Sequence, residues 1–154
     1  MRCLALAARF SAKGHSVGFF CRDLVGAPFE LIEKAGFRLQ CLSHSGDWEH
    51  DANDCVALLQ DAPADILVMD SYVLDAGWER QIHSQVKCLA VIDDLANRKH
   101  DCDVLIDQNL YVNPTKRYAD LVPDDAMLLL GPRFALLRQE FVAARAEVTP
   151  RRGL

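Results

Sequence analysis

The stretch Val91–Leu110, VIDDLANRKHDCDVLIDQNL, lies where two apolar runs of the chain end in short polar side chains. The runs CLAVI and DVLI are followed by the polar clusters DDLANR and DQN. Asp, Asn and Gln are short acceptors and amides that suit turns, helix caps and ligand hydroxyl groups, whereas solubility alone would be served by Lys and Glu. The stretch therefore predicts two buried strands with polar carboxyl ends.

Apolar runs and helical patterns alternate along the rest of the chain. Helical patterns cover residues 1–14, 28–36, 49–61, 74–85 and 135–148, and Asp47 is placed to cap the third helix. Short apolar runs predict strands at residues 16–21, 37–42, 65–70, 87–93, 103–107 and 127–131. This alternation predicts an α/β fold, a Rossmann-like parallel sheet with helices on both faces.

The length and composition favour one globular domain. We assign residues 1–148 to this domain and residues 149–154 to a tail or the start of a linker, in a chain of 154 residues. The net charge of -5 argues against a general nucleic-acid surface. No apolar run reaches the ~20 residues of a membrane span, and no secretory signal is recognisable, so we expect a cytoplasmic protein.

Cysteine and histidine spacing gives no sign of a metal site. The six cysteines occur singly without a CxxC pair, so we expect buried free thiols. His100 and Cys102 would need two further ligands at metal spacing, and none is visible nearby. There is no phosphate-loop pattern, no GxSxG nucleophile and no cysteine beside a plausible base. We therefore expect neither a metal nor a cofactor.

The chain starts with a helical pattern, which is unusual for this fold class. Doubly wound sheets usually open with a central strand and a glycine-rich turn into the first helix. Neither precedes the first helical pattern here. We therefore expect an incomplete sheet that lacks its first strand and leaves an open strand edge or an apolar groove.

Polar side chains should gather where the strands end, because ligands of open parallel sheets bind outside the carboxyl ends of the strands. Asp70, Asp93 and Asp94 either cap the following turns or line a polar pocket. Tyr72 is the candidate aromatic wall or hydrogen-bond donor, with a packed strand-end tyrosine as the alternative. Among the histidines, His100 has the best claim to this rim.

Five segments of the sequence resemble one enzyme family. They are residues 1–7, 14–24, 70–79, 91–110 and 128–141, read as MRCLALA, GHSVGFFCRDL, DSYVLDAGWE, VIDDLANRKHDCDVLIDQNL and LLLGPRFALLRQEF. Together they resemble the UDP-2,4-diacetamido-2,4,6-trideoxy-beta-L-altropyranose hydrolases of pseudaminic acid biosynthesis. The resemblance implies the N-terminal domain of a glycosyltransferase B-type fold, in which two Rossmann-like domains flank a cleft. It also implies a UDP-sugar substrate that loses UDP when water adds at the anomeric carbon.

The same resemblance implies which residues meet the sugar. Tyr72, Asp94, Gln108 and Asn109 would hold the sugar or shape the rim, with Asp94 mostly structural through the backbone amides of the turn that follows it. The family's water-activating His would lie just before Met1, and its nucleotide-binding domain would follow residue 154. The isolated chain is therefore expected to be inactive. Phe134 stands where the family has a tyrosine.

Three functions remain open at this stage. The first is the sugar-side domain of a nucleotide-sugar hydrolase. The second is the acceptor-side domain of a glycosyltransferase, since both classes share the fold. The third is a non-catalytic or partner-binding domain. The length of the 91–110 match favours the hydrolase, and the sequence leaves the oligomeric state undetermined.

Overall fold

The computed structural model describes residues 2–42, 47–141 and 144. The fold is α/β and Rossmann-like, with parallel strands and intervening helices. The chain divides into two compact units. The larger is Gly18–Ala135, and the smaller contains helix α1 (Arg2–Ala12) and the described residues from Leu136 onward.

The larger unit contains two parallel sheets. One pairs β1 (Gly18–Arg22) with β2 (Arg38–Leu42). The other has the order β3-β4-β5-β6, formed by Ile66–Asp70, Cys88–Ile92, Val104–Asp107 and Met127–Leu130. The helices of this unit are α2 (Phe29–Lys34), α3 (Trp48–Asp61), α4 (Ala76–His83) and α5 (Pro114–Arg117).

The six strands coincide with the six apolar runs of the sequence, so the strand predictions are confirmed. The helix start at Asp47 is confirmed too, because its carboxylate accepts a 2.7 Å hydrogen bond from the backbone N–H of His50. Asp75 caps α4 in the same way, through the N–H of Gly77 at 2.8 Å. Local polar and apolar patterns therefore determine most of the element boundaries.

The core of the larger unit lies around the two central strands. All of β4 from Leu89 to Ile92 is buried, as is β5 from Leu105 to Asp107. Trp78 and Ile82 of α4 and Cys55 of α3 pack into the same core. Phe20 of β1 and Leu42 of β2 also belong to it, so the two sheets share one hydrophobic core.

The strands form two separate sheets in the described part of the chain, and the predicted absence of a first strand stays a prediction. β1 is hydrogen-bonded to β2 and β3 to β4, but the two sheets are not joined to each other. Each therefore keeps an edge strand that has a single strand neighbour.

Some elements differ from the sequence prediction. Helix α5 and a 3-10 turn at Pro132–Phe134 were not predicted. The last predicted helix, residues 135–148, starts later than expected, because Ala135 leaves the 3-10 turn with extended backbone and helix begins only at residue 139. Its remainder lies largely outside the described residues, and the predicted tail at 149–154 lies wholly outside them.

The six cysteines are free thiols, but their burial differs from the expectation. Cys55 and Cys102 are buried, and burial raises the pKa of each thiol to about 12. Cys41 is exposed, because it lies on the outward side of β2, so the expectation of a buried thiol is wrong there. None of the helices in the described ranges is long and apolar enough to cross a membrane.

Candidate functional site

The polar clusters of the sequence lie together where β3, β4 and β5 end. The three strands are parallel, with Asp70 beside Ile92 and Ile92 beside Ile106. The segments that follow them, residues 71–75, 93–100 and 108–113, therefore leave the sheet at the same end. We call this surface the carboxyl rim.

Tyr72 and Asp94 meet at the carboxyl rim, although they follow different strands. The Tyr72 hydroxyl donates to Oδ2 of Asp94 across 3.4 Å, which is long for such a bond. The Tyr72 side chain remains more than half exposed, at 59%. Two of the four predicted site residues thus come together in a position that is open to solvent.

The backbone at Asp94 is held from the other side of the rim. Its carbonyl oxygen accepts from the Tyr111 hydroxyl at 3.3 Å and from Nη2 of Arg117 at 3.0 Å. The Arg117 guanidinium also stacks on the Tyr111 ring, 3.6 Å from its centre. The segment after β5 therefore positions the segment after β4.

Gln108 and Asn109 occupy the start of the segment after β5. Asn109 is exposed and Gln108 is half-buried. The backbone N–H of Asn109 donates to Oδ1 of Asp107 across 3.0 Å, a local turn of the kind that Asp favours. Both residues thus share the carboxyl rim with Tyr72 and Asp94, and a buried carboxylate fixes the turn that carries them.

A buried polar cluster lies beneath the carboxyl rim. The Tyr118 hydroxyl is 3.0 Å from Oδ2 of Asp107, 3.2 Å from Oδ2 of Asp93 and 3.1 Å from the Asp93 carbonyl oxygen. Burial, together with the negative charges of Asp93 and Asp107, raises the pKa of Tyr118 far above its usual range. The phenol therefore stays protonated and donates.

Asp93 is the residue that holds the turn after β4. Its Oδ2 accepts from the backbone N–H of Ala96 at 2.8 Å. The sequence made both Asp93 and Asp94 candidates for holding this turn. The structure shows such a bond for Asp93, whose side chain points into the interior at the strand end, and the structural role of Asp94 stays a prediction. Burial raises the pKa of Asp93, but the bond from Ala96 and the nearby charges of His100 and Arg98 outweigh it and hold that pKa well below its usual range.

Arg98 ties two rim segments together. Its Nη1 donates to Oδ1 of Asp93 at 2.8 Å, while Nε donates to the carbonyl of Leu74 at 2.8 Å and Nη2 to that of Ser71 at 2.6 Å. One guanidinium thus joins the segment after β3 to the segment after β4. The planar fork of donors makes this possible, and the shorter reach and single ammonium of Lys would not.

The side chain of His100 does not face the open surface of the carboxyl rim. Its ring is fully buried, with Nδ1 donating to Oε1 of Glu79 at 2.7 Å and Nε2 lying 3.8 Å from Oδ2 of Asp93. Burial opposes a charge on the ring, but the two carboxylates on either side outweigh it and raise the pKa of His100 to about 9. His100 was the best placed of the histidines for a rim role, and its bond with Glu79 of α4 holds the ring in the interior instead.

A further buried carboxylate, apart from those beneath the carboxyl rim, lies near the end of β1. Asp51 of α3 accepts from Nε1 of Trp78 at 2.6 Å and from Nε of Arg22. The side chain of Asp51 is 1% exposed, so the guanidinium and the indole neutralise and satisfy it. This contact joins β1 to the two helices that lie against the larger sheet.

Sequence reasoning did not single out Tyr118, Arg98, Glu79 or Asp51. Their partners lie 5 to 29 positions away along the chain, so no local spacing marks them. The role of a buried Tyr or Arg can be recognised only in the folded structure, where a carboxylate lies next to it.

A separate surface depression lies at the opposite ends of the strands. It is lined by Pro63–Asp65 and by residues 84–87, at the amino ends of β3 and β4. Its two charged side chains pair with each other, Lys87 Nζ lying 2.7 Å from Oδ1 of Asp65. We regard the carboxyl rim as the candidate site, because it carries convergent polar groups backed by a buried network.

The carboxyl rim offers hydrogen-bonding groups, aromatic faces and exposed apolar residues. Leu110 and Val112 are 80% and 96% exposed, and Val73 is 73% exposed. Within the described ranges, no group of three or more His, Cys, Asp or Glu side chains is arranged to hold a metal ion. The arrangement suits a ligand with hydroxyl and amide groups and apolar substituents.

Comparisons with known proteins add no relative to this description. No protein-family model matches the chain. A search of curated proteins finds no match either.

Proposed function

We propose that this chain is the sugar-side domain of a nucleotide-sugar hydrolase, one that releases UDP from a 2,4-diacetamido-2,4,6-trideoxy sugar in pseudaminic acid biosynthesis. The resemblance of the five sequence segments motivates the proposal. The observation that carries it is the contact of Tyr72 with Asp94 on an open rim, 3.4 Å apart, at the carboxyl ends of neighbouring parallel strands. Ligands of such sheets bind at this end.

In this proposal, this domain and other parts of the enzyme carry out different steps of the reaction. UDP is a good leaving group, so the demanding steps are the activation and placement of water and the stabilisation of the leaving charge. We assign to Tyr72, Asp94 and Asn109 the binding of sugar hydroxyl and acetamido groups. His100 is buried and bonded to Glu79, and His83 is held by Asp101 and Asp103, so neither is free to serve as a rim base. We therefore propose that the chain alone does not turn over UDP-sugar.

A second candidate is a domain that binds another protein surface through the carboxyl rim. On the carboxyl rim, Val73, Leu110 and Val112 are each at least 73% exposed. Apolar residues that protrude together at one end of a domain are typical of interfaces. This candidate predicts that a partner covers the rim, whereas the hydrolase candidate predicts a sugar there.

The test is ligand binding to the purified chain, followed by two-dimensional NMR of its backbone amides. The free 2,4-diacetamido-2,4,6-trideoxy sugar is the probe, with UDP alone as the comparison. We expect the sugar at millimolar concentration to shift the amides of residues 71–75, 94–97 and 108–111, and UDP to leave them unchanged. Shifts confined to other surfaces, or none at saturating sugar, contradict the proposal.

Matched variants distinguish a loss of sugar binding from a loss of folded structure. Asn109→Ala is expected to weaken the sugar-induced shifts, while Asn53→Ala, an equally exposed change on α3, leaves them intact. A coupled UDP-release assay on the unmodified chain completes the test. Turnover clearly above the uncatalysed rate contradicts the assignment of water activation to another part of the enzyme.

A further inference from the structure

Two cysteines face each other across the smaller sheet. In the parallel register of β1 and β2, Cys21 is the direct partner of Cys41. Among the strand pairs of the described residues, this is the one position where two cysteines are partners. Both side chains are free thiols. The register therefore places two thiols side by side on neighbouring strands.

Both thiols lie on the same face of this sheet. Leu42 of β2 belongs to the hydrophobic core, and Phe20 of β1 packs against it. Successive side chains of a strand point to opposite faces. Cys21 and Cys41, which are adjacent in sequence to Phe20 and Leu42, therefore lie on the face opposite the core.

The spacing of paired parallel strands suits a disulfide between these two positions. Neighbouring strands lie about 4.8 Å apart in the direction of their hydrogen bonds. Disulfides join cysteines whose Cα atoms are ~4.4–6.8 Å apart and whose Cβ atoms are ~3.5–4.5 Å apart. The Cα spacing is already within range, and the two Cβ atoms need only a small tilt toward each other. A bond that requires such a tilt is mildly strained, which makes it easier to reduce.

The two thiols differ in how easily a dissolved oxidant reaches them. Cys41 is exposed, whereas Cys21 is half-buried. Burial raises the pKa of the Cys21 thiol, and the neighbouring Cys41 raises that pKa further. Because the thiolate is the nucleophile, the exposed Cys41 reacts first with a dissolved disulfide. Cys21 is then the thiol that closes the protein disulfide.

Cys88 and Cys102 form a second pair of neighbouring cysteines, which serves as an internal comparison. Cys88 is half-buried at the start of β4, and Cys102 is buried. Burial, and to a lesser extent nearby groups that include Cys88, raises the pKa of Cys102 to about 12. A buried thiol that stays protonated at neutral pH is inert toward dissolved disulfides. Proximity is thus shared by both pairs, and the exposed thiol belongs to the pair in the smaller sheet.

We infer that Cys21 and Cys41 form a redox modification site, at which a low-molecular-weight disulfide such as oxidised glutathione converts the two thiols into a reversible disulfide that ties β1 to β2. The bond closes a loop that contains α2. In the described residues β1 and β2 are each other's sole strand neighbour, so this covalent link adds to the one ladder of hydrogen bonds that joins them.

The reaction proceeds by two exchanges. The Cys41 thiolate attacks one sulfur of oxidised glutathione, so a mixed disulfide forms on Cys41 and one glutathione thiolate leaves. Cys21 then loses its proton, and its thiolate attacks the Cys41 sulfur as the bond to the second glutathione breaks. The two protons released by the cysteines are taken up by the two glutathione thiolates. In total, two cysteine thiols are oxidised and one glutathione disulfide is reduced.

The first test treats the purified, folded chain with oxidised glutathione, blocks the remaining thiols by alkylation and maps the peptides by mass spectrometry. We expect the chain to lose two hydrogens and to yield a peptide pair that links Cys21 to Cys41. This link should form at least about tenfold faster than any link between Cys88 and Cys102. Dithiothreitol should reverse it. A dimer joined through Cys41, a link from either residue to another cysteine, or no intramolecular link overturns the inference.

Single variants test the order of the two exchanges. Cys21→Ser should trap one glutathione on Cys41, because the second thiol is missing. Cys41→Ser should leave Cys21 largely reduced under the same conditions, and Cys88→Ser should form the protein disulfide at the original rate. Equal modification of Cys21 and Cys41 in their respective variants overturns the assigned order. Glutathione that stays on Cys41 of the unmodified chain overturns the inference itself.

Amide hydrogen exchange of the reduced and oxidised chains tests the tie between the strands. Local opening of a segment exposes its amides to exchange, and a cross-link restricts that opening. We expect the amides of β1 and β2 to exchange roughly tenfold more slowly in the oxidised chain, while those of β3–β6 keep their rates. Unchanged exchange in β1 and β2, or equal slowing in both sheets, overturns the tying of β1 to β2.

Discussion

The Tyr118 hydroxyl lies 3.0 Å from Oδ2 of Asp107 and joins the ends of β4 and β5 beneath the carboxyl rim. The same oxygen is 3.2 Å from Oδ2 of Asp93, so one phenol bridges two carboxylates whose side chains are almost wholly buried. The carboxylates of Asp93 and Asp107 carry like charges and repel each other. The shared Tyr118 hydroxyl and the nearby cations offset that repulsion. The buried layer beneath the carboxyl rim is therefore charged rather than apolar.

Tyr118→Phe should destabilise the fold by about 1–3 kcal/mol, because it removes a buried donor from between the carboxylates of Asp93 and Asp107. Urea unfolding of the chain measures the change. Tyr111→Phe is the matched control: its hydroxyl makes one 3.3 Å bond from a half-buried position, so its loss should cost less. An equal or smaller effect at Tyr118 would show that the bridge does not stabilise the base of the rim.

Arg98→Met should be more damaging, with a loss of roughly 3–5 kcal/mol, because it leaves the buried Asp93 carboxylate without its guanidinium. Lys99→Met, an exposed neighbour, serves as the control and should be nearly neutral. Arg98→Lys should restore only part of the loss, since one ammonium cannot reach Asp93 and both carbonyl groups at once. Full rescue by Lys would mean that charge alone matters.

The stability of the fold should depend on pH through His100. Its pKa rises from about 6.5 to about 9 on folding, so its stabilisation is fully present below pH 6.5 and is lost as the pH rises through 9. The size of the effect is on the order of 3 kcal/mol, because the ring is fully buried. The buried thiols of Cys55 and Cys102 act in the same direction above about pH 8, because they ionise near pH 9 in the unfolded chain but stay protonated in the folded one, where their pKa is about 12.

Unfolding free energies at pH 6.5, 8 and 9.5 test this dependence. His100→Gln keeps a donor for Glu79 but cannot be charged, so its stability should be lower at pH 6.5 and should vary less with pH. His50→Gln, on the exposed face of α3, should keep the dependence of the original chain. His83 is one-third exposed and contributes in the same direction, but solvent screens its carboxylate partners. Identical pH profiles for the original chain and His100→Gln would contradict the assignment.

The strands and the Asp47 cap were predictable because their signals are local. An apolar run such as Ile66–Asp70 indicates a strand by itself, although only Met69 of that strand is buried. An Asp three residues before an available N–H indicates a cap. The burial of His100 was not predictable in this way. It depends on Glu79, 21 positions earlier, and only the packing of α4 brings the two together.

The same reasoning explains why the sequence did not show that Asp93 is the buried carboxylate of the pair. The sequence shows two adjacent carboxylates after a strand, and neither its spacing nor its composition tells which of them faces the interior. Side chains alternate across a strand, so one residue of register decides which carboxylate is buried. In the structure Asp93 is 1% exposed and Asp94 is partly exposed beside Tyr72.

The rim residues should therefore divide their roles differently from the sequence expectation. Asp93→Ala should lower stability by about 3 kcal/mol or more. It removes the acceptor for the Ala96 N–H and leaves the Arg98 guanidinium without its carboxylate partner. Asp94→Ala should have the smaller effect on unfolding, since its carboxylate meets Tyr72 across 3.4 Å at a solvent-exposed position. Urea unfolding of the two variants decides the order, and a larger loss for Asp94→Ala would restore the original expectation.

Tyr72→Phe tests the ligand role of the rim most directly. The bond it removes is long and exposed, so we expect the free energy of unfolding to change by less than about 0.5 kcal/mol. If the hydroxyl binds sugar, losing a hydrogen bond of about 1 kcal/mol should weaken sugar binding roughly fivefold. The NMR titration with the diacetamido sugar measures the affinity, and urea unfolding measures the stability of the same variant. Unchanged affinity at unchanged stability would remove Tyr72 from the site and leave its bond with Asp94 as ordinary turn chemistry.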